Sequence, residues 1–238
     1  MLPEEEHEAA KSIGLNLITL QSIAEEFRRC AHLYLFAHGR KFLLQNADRT
    51  QELEMIGLMR IAGRNGAVVA SGFARIIEAI NSTRAPVIWA RADMAKRRGA
   101  TKLFAKEFPS IDAIRTSAAH PGELMKKPEE TEKHRLKQSL NHPAIKADNA
   151  PLYIEGMLHA RADALGFGAT VEGQFREYEL SLSKADILEA VANRYCETFY
   201  PLEDPKRASG AQYIREMEAR HQQDQRSRPP WWHSLLLR

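Results

Sequence analysis

In the stretch AIRTSAAHPGEL, an arginine and a histidine stand five positions apart, Arg115 and His120, with Thr116 beside the first and Pro121 directly after the second. A guanidinium offers a planar fork of donors suited to phosphoryl oxygens. An imidazole titrates near pH 6.5 and can accept a proton at neutral pH; nearby guanidinium charge lowers that value and keeps the ring neutral. At about 100° per residue the two side chains would stand ~140° apart on an unbroken helix. Pro121 changes this, because the residue before a proline is pushed out of the helical region. His120 is then free to turn toward the arginine's side or toward a second subunit. A structural role suits the same residues: Arg115 neutralising the C-terminal helix dipole or pairing with Glu123, and His120 capping the helix at the surface.

The charge around this stretch is uneven. Residues 84–107 carry Arg84, Arg91, Lys96, Arg97, Arg98, Lys102 and Lys106 against Asp93 and Glu107, a local charge of +5 in a chain of net +3. The tail, residues 206–238, adds another +4, whereas residues 1–8 hold four glutamates and no Lys or Arg. Basic clusters of this kind attract polyanions, and they also occur as solvated helix faces. Other chemistry has little support. His32 and His38 are spaced wrongly for one helical face, no HExxH occurs, and no Gly-rich loop follows a strand. His134 and His142 fall in a charged segment where solvent exposure is expected. Cys30 and Cys196 are far apart, each in an apolar helical pattern, and read as reduced packing thiols. No metal and no cofactor is expected.

The elements that must position these groups are mainly helical. Ile13, Leu17, Leu20, Ile23, Phe27, Cys30 and Tyr34 recur every three or four positions, predicting a helix to about residue 44. A second helix, residues 53–80, carries a small-residue stripe (Ile56, Gly63, Ala67, Ala70, Ala74, Ile77) that would let another helix approach closely. Arg60, Arg64, Ser71, Arg75 and Glu78 make its remaining face, expected to be solvated. Helical stretches over 87–108 and 110–119 follow, with Phe104, Phe108, Ile111 and Ile114 on a buried face. From residue 121 to 151 the chain is polar and proline-punctuated, with room for one short helix.

The period then changes to two. Residues 165–182 read as an antiparallel hairpin with a turn at Gly173 and Gln174, which pairs Phe167 with Leu180 and Ala169 with Tyr178 and puts an apolar face on the helices. Ser183 is a reasonable N-cap for a last helix bearing Ile187, Leu188, Val191, Tyr195 and Phe199. The expected fold is a single mainly α domain, residues 1–200, a four- or five-helix bundle with that small hairpin. Residues 201–238 form a basic helix and tail whose Trp231 and Trp232 could dock on a partner or tuck against their own domain. No apolar run approaches the ~20 residues a bilayer helix needs, so no membrane partner and a cytoplasmic location are expected.

Three pieces together resemble the HEPN family, over about residues 50–200: the helix AGRNGAVVASGFARIIEAI, the helix ending IDAIRTSAAHPGEL, and the hairpin with closing helix EGQFREYELSLSKADILEAVANRYCETF. The family's marker, an arginine, a polar residue, and a histidine after four to six intervening positions, falls on Arg115, Thr116 and His120. By itself the spacing is uninformative, since pairs 135/142, 215/221, 226/233 and 228/233 also satisfy it. Context separates them, because only the first lies at the end of an apolar-faced helix beside a basic cluster. The position after the arginine is more often Asn, Asp or His in active members. The resemblance implies a helical-bundle homodimer with motif helices facing each other, in a toxin–antitoxin or phage-defence setting. It implies metal-independent RNA cleavage: His120 takes the ribose 2′-hydroxyl proton, Arg115 holds the phosphoryl oxygens, Thr116 orients the imidazole, and Arg91, Lys96, Arg97, Arg98, Lys102 and Lys106 draw in the RNA backbone. It equally implies a catalytically silent interaction protein, since many HEPN-like proteins are partners or scaffolds.

Overall fold

The computed structural model describes residues 2–43, 49–119, 128–147 and 152–199. His120, Pro121, Glu123 and the tail with Trp231 and Trp232 lie outside the described residues. After a single 3-10 turn at Glu4–Glu6, the two longest helices, α1 (His7–Leu43) and α2 (Arg49–Ser82), pack against each other. Ile13, Leu20, Phe27, Cys30 and Tyr34 of the expected α1 face are buried. Leu17 and Ile23 are half-buried at its edge.

The stretch expected as one helix over 87–108 is two, α3 (Pro86–Arg91) and α4 (Met94–Glu107). Asp93 makes the break: its side chain accepts from the N–H groups of Ala95 and Lys96, each at 3.1 Å, and so caps α4. Helix α4 packs on α7 (Leu182–Thr198), whereas α5 (Ile111–Ala119) packs on α2. Between α4 and α5, Ser110 takes a left-handed φ of 59° where the chain changes direction. Phe73, Phe104 and Phe108 stack in sequence at 5.4 and 5.3 Å, and Phe27 meets Phe108 edge-on at 5.7 Å. These rings join α1, α2 and α4 in one core.

The polar segment contains the one short helix it had room for, α6 (Pro128–His134), and also an unexpected hairpin, β1 (Leu140–His142) and β2 (Ile145–Ala147). The second hairpin is part of a three-stranded antiparallel sheet ordered β3 (Met157–Ala160), β4 (Ala164–Val171), β5 (Gln174–Ser181). Seven α-helices and two small sheets among the described residues thus replace the expected four or five helices and one hairpin.

The register of β4 with β5 also differs from expectation. The turn is Glu172–Gly173, with φ of 52° and 82°, and Val171 pairs with Gln174, Phe167 with Tyr178 and Leu165 with Leu180. Positive φ at both turn residues is the type I′ geometry that matches strand twist. Each partner moves by two positions, so the apolar face survives intact. Because β5 runs on to Ser181, that residue and not Ser183 is the N-cap of α7, accepting from Lys184 N at 3.2 Å.

The apolar sheet face, Leu165, Phe167, Tyr178 and Leu180, lies on α2 at its glycines. A Cβ at Gly63 would stand 2.6 Å from Phe167, and one at Gly66 would stand 2.4 Å from the Tyr178 hydroxyl. At Gly63, in the small-residue stripe, and at Gly66 beside it, α2 admits a sheet rather than a helix. The polar face expected to be solvated is partly covered too. Arg64 Nε donates to Ala118 O at 3.0 Å and the buried Ser71 donates to Asp112 at 2.6 Å, both from α2 to α5.

Candidate functional site

Helix α5 buries Ile111, Ile114, Ser117 and Ala118, which turns Arg115 to a half-buried edge and Thr116 to the exposed side. Arg64 from α2 occupies the Ala118 carbonyl and so satisfies one acceptor of the last turn. The Thr116 hydroxyl donates to Asp112 O one turn back at 3.1 Å, leaving its lone pairs as the free function of that oxygen. His120 falls outside the described residues. A cleft of about 370 Å³ opens at the other end of α5, lined by Ser110, Asp112, Ala113, Glu172, Gln174 and Arg176, and contains neither Arg115 nor Thr116.

The basic residues divide by contact. Lys96 pairs with Glu197 of α7 at 3.0 Å, and Arg97 lies over the Trp89 ring at 4.5 Å, so these two serve packing as well as charge. Arg98, Lys102 and Lys106 recur every fourth residue and are all exposed, with Arg91 exposed at the end of α3. The buried Ala100 and Phe104 lie on the opposite side of α4, so the three make one solvent-facing stripe. Among the described residues Arg98 and Lys102 form no ion pair, and Lys106 makes a long one, 3.7 Å, to Glu107.

A third constellation escaped the sequence reading. His142 and His134 are not solvent-exposed: His134 is buried, with its Nδ1 accepting from Glu172 N at 3.0 Å, and the His142 side chain is 15% exposed. The β1–β2 hairpin brings His142 onto the sheet face opposite the helices, where its ring meets Phe175 at 5.2 Å and the His159 ring edge-on at 4.9 Å. His142 Nε2 lies 3.2 Å and His159 Nδ1 3.8 Å from the same oxygen, Glu177 Oε2. Both His159 Nδ1 and Glu177 Oε2 are buried without an aligned hydrogen bond, although His142 Nε2 is near enough to the carboxylate to make one.

Glycines make the room. Gly166 and Gly168 of the central strand share this face with His159 and Glu177, and a Cβ at Gly166 would stand 2.5 Å from the Glu177 carboxylate. Two glycines at a two-residue interval in a strand are the sequence signal of a trough on one face. Nothing local marks His142, which enters from another hairpin.

No family model matches the chain, and no curated protein or solved structure is significantly similar to it.

Proposed function

We propose that this chain is an RNA-binding protein of HEPN-like type that engages the phosphate backbone through α4 and cleaves it without a metal. The observation that carries the binding part is the exposed stripe of Arg98, Lys102 and Lys106 on one side of α4. Side chains four residues apart advance about 6 Å along the axis, so the stripe is a line of charge rather than a point. Such a line binds phosphates without reading bases, and its affinity falls steeply with salt. In the cleavage step His120 removes the 2′-hydroxyl proton, the 2′-oxygen attacks phosphorus as the bond to the 5′-oxygen breaks, that oxygen leaves with a proton from water and a 2′,3′-cyclic phosphate remains, while Arg115 compensates the charge that builds on the phosphoryl oxygens. Arg115 supports this role by standing at the edge of α5 rather than in its buried face.

A homodimer belongs to the same reading. Leu53, Ile61 and Val68 on α2 are 59%, 49% and 40% exposed, and Leu15 and Ile18 on α1 are 58% and 64% exposed, apolar side chains on two helices that a second copy would cover. Those side chains also favour a second reading, a non-catalytic interaction protein.

The test incubates full-length protein with mixed RNA in EDTA, beside His120→Ala and an Arg98→Glu/Lys102→Glu/Lys106→Glu triple variant. The proposal expects cleavage that disappears in His120→Ala. It expects RNA affinity to drop at least about tenfold in the triple variant, with a shallower salt slope. Binding without cleavage in the parent leaves the interaction reading, and unchanged affinity in the triple variant removes α4 as the interface.

A further inference from the structure

The geometry points to a divalent transition-metal site, of the zinc class, formed by His142 Nε2, His159 Nδ1 and Glu177 Oε2 on the outer face of the three-stranded sheet. It rests on residues that the proposed RNA chemistry does not use. The three donor atoms lie within 4.8 Å of one another, with the carboxylate oxygen 3.2 Å from one nitrogen and 3.8 Å from the other. Tetrahedral zinc with bonds of about 2.0–2.1 Å sets its ligand atoms ~3.3 Å apart, so two of the three separations already match within half an ångström. The third, within 4.8 Å, shortens if the two imidazoles rotate toward the ion.

Burial argues the same way. Polar atoms shielded from water almost always have a partner, yet His159 Nδ1 and Glu177 Oε2 face each other without an aligned hydrogen bond. A cation between them satisfies both. The donor set selects its class, because two imidazoles and one carboxylate suit zinc and its first-row neighbours, whereas magnesium and calcium take all-oxygen shells. The side chains are 15%, 22% and 25% exposed, which leaves the cluster close enough to the surface for an ion to reach it.

One bond must yield. Ala144 N donates to His142 Nδ1 at 3.1 Å, which puts the neutral ring's proton on Nε2, the atom that would hold the metal. Binding therefore moves that proton to Nδ1 and releases the Ala144 amide, which lies in an exposed turn where water replaces the lost acceptor. The consequence is mechanical: the cation fastens β1–β2, through His142, to β3 and β5, through His159 and Glu177.

The experiment titrates zinc chloride into EDTA-stripped, tag-free, full-length protein by calorimetry, without RNA. The expected result is one zinc per chain, an affinity at least about 100-fold weaker in His159→Ala and in Glu177→Gln, and a zinc-dependent shift of the Ala144 amide resonance. Glu177→Gln keeps the shape of the side chain and decides the matter if a histidine variant fails to fold by circular dichroism. Absence of binding in the parent up to millimolar zinc, or binding unchanged in Glu177→Gln, overturns the site. Neither outcome bears on cleavage in EDTA, so the two proposals fail separately.

Discussion

Glu6 sits in the acidic run of residues 1–8, and its carboxylate is buried and accepts N–H groups from Val87 at 2.8 Å and Ile88 at 3.0 Å. It caps α3 from 81 positions away in the chain, at a helix whose first residue, Pro86, has no N–H to offer. Glu6→Ala is expected to cost about 2 kcal/mol, read as a lower denaturant midpoint at unchanged slope. Glu107 makes the pH-dependent counterpart. Its carboxyl is held below the usual carboxylate value, first by the hydrogen bond from Lys184 at 2.7 Å and then by that ammonium's charge. A depressed carboxyl stabilises the fold above its unfolded pKa, near 4.3, and loses that contribution as pH falls through the lower folded value. The melting-temperature gap between the parent and Glu107→Gln should be open at pH 7 and should narrow as pH falls below the unfolded carboxylate value. A gap that persists in acid would show that the Lys184 contact acts through shape instead.

Among the elements, α2 shows how small residues can serve a partner the pattern does not name. Small residues at helical spacing tell of a close approach, and the approach is real at Gly63 and Gly66, where Phe167 and Tyr178 fill the space. The Tyr178 hydroxyl donates to Gly63 O at the same place, and burial pushes its pKa well up. In an exposed helix Gly→Ala would gain about 1 kcal/mol. Here Gly66→Ala should instead lose about 1–3 kcal/mol, since the added methyl meets a fully buried ring, and thermal melting decides the sign. The hairpin teaches a related point. Its faces were legible because alternation has a period of two, and a register shift of two cannot disturb them. The shift itself depended on whether Gly173 is the first or second turn residue, and both placements suit a glycine.

On the scale of the whole molecule, β4 is buried along nearly its full length, central in the three-stranded sheet with α2 and α5 packed against it. Its amides should exchange with solvent only through global unfolding, while those of β1 and β2, with Ala147 as their one buried residue, should exchange earlier. Hydrogen exchange on metal-free protein checks the order, and equal protection would mean that the small hairpin unfolds with the core. None of the described helices is long and apolar enough to cross a membrane. What the chain determines by itself is local: which side of each helix and strand is apolar, and which groups could carry charge or bind a phosphate. These follow from periods of 3.6 and 2, which are set within a few bonds. Which surface covers which face was decided only in three dimensions. The sheet lies on Gly63 and Gly66, α5 on the polar side of α2, and His142 beside Glu177 from 35 positions away. Such meetings depend on the mutual fit of separate faces, and no stretch of chain encodes a fit alone.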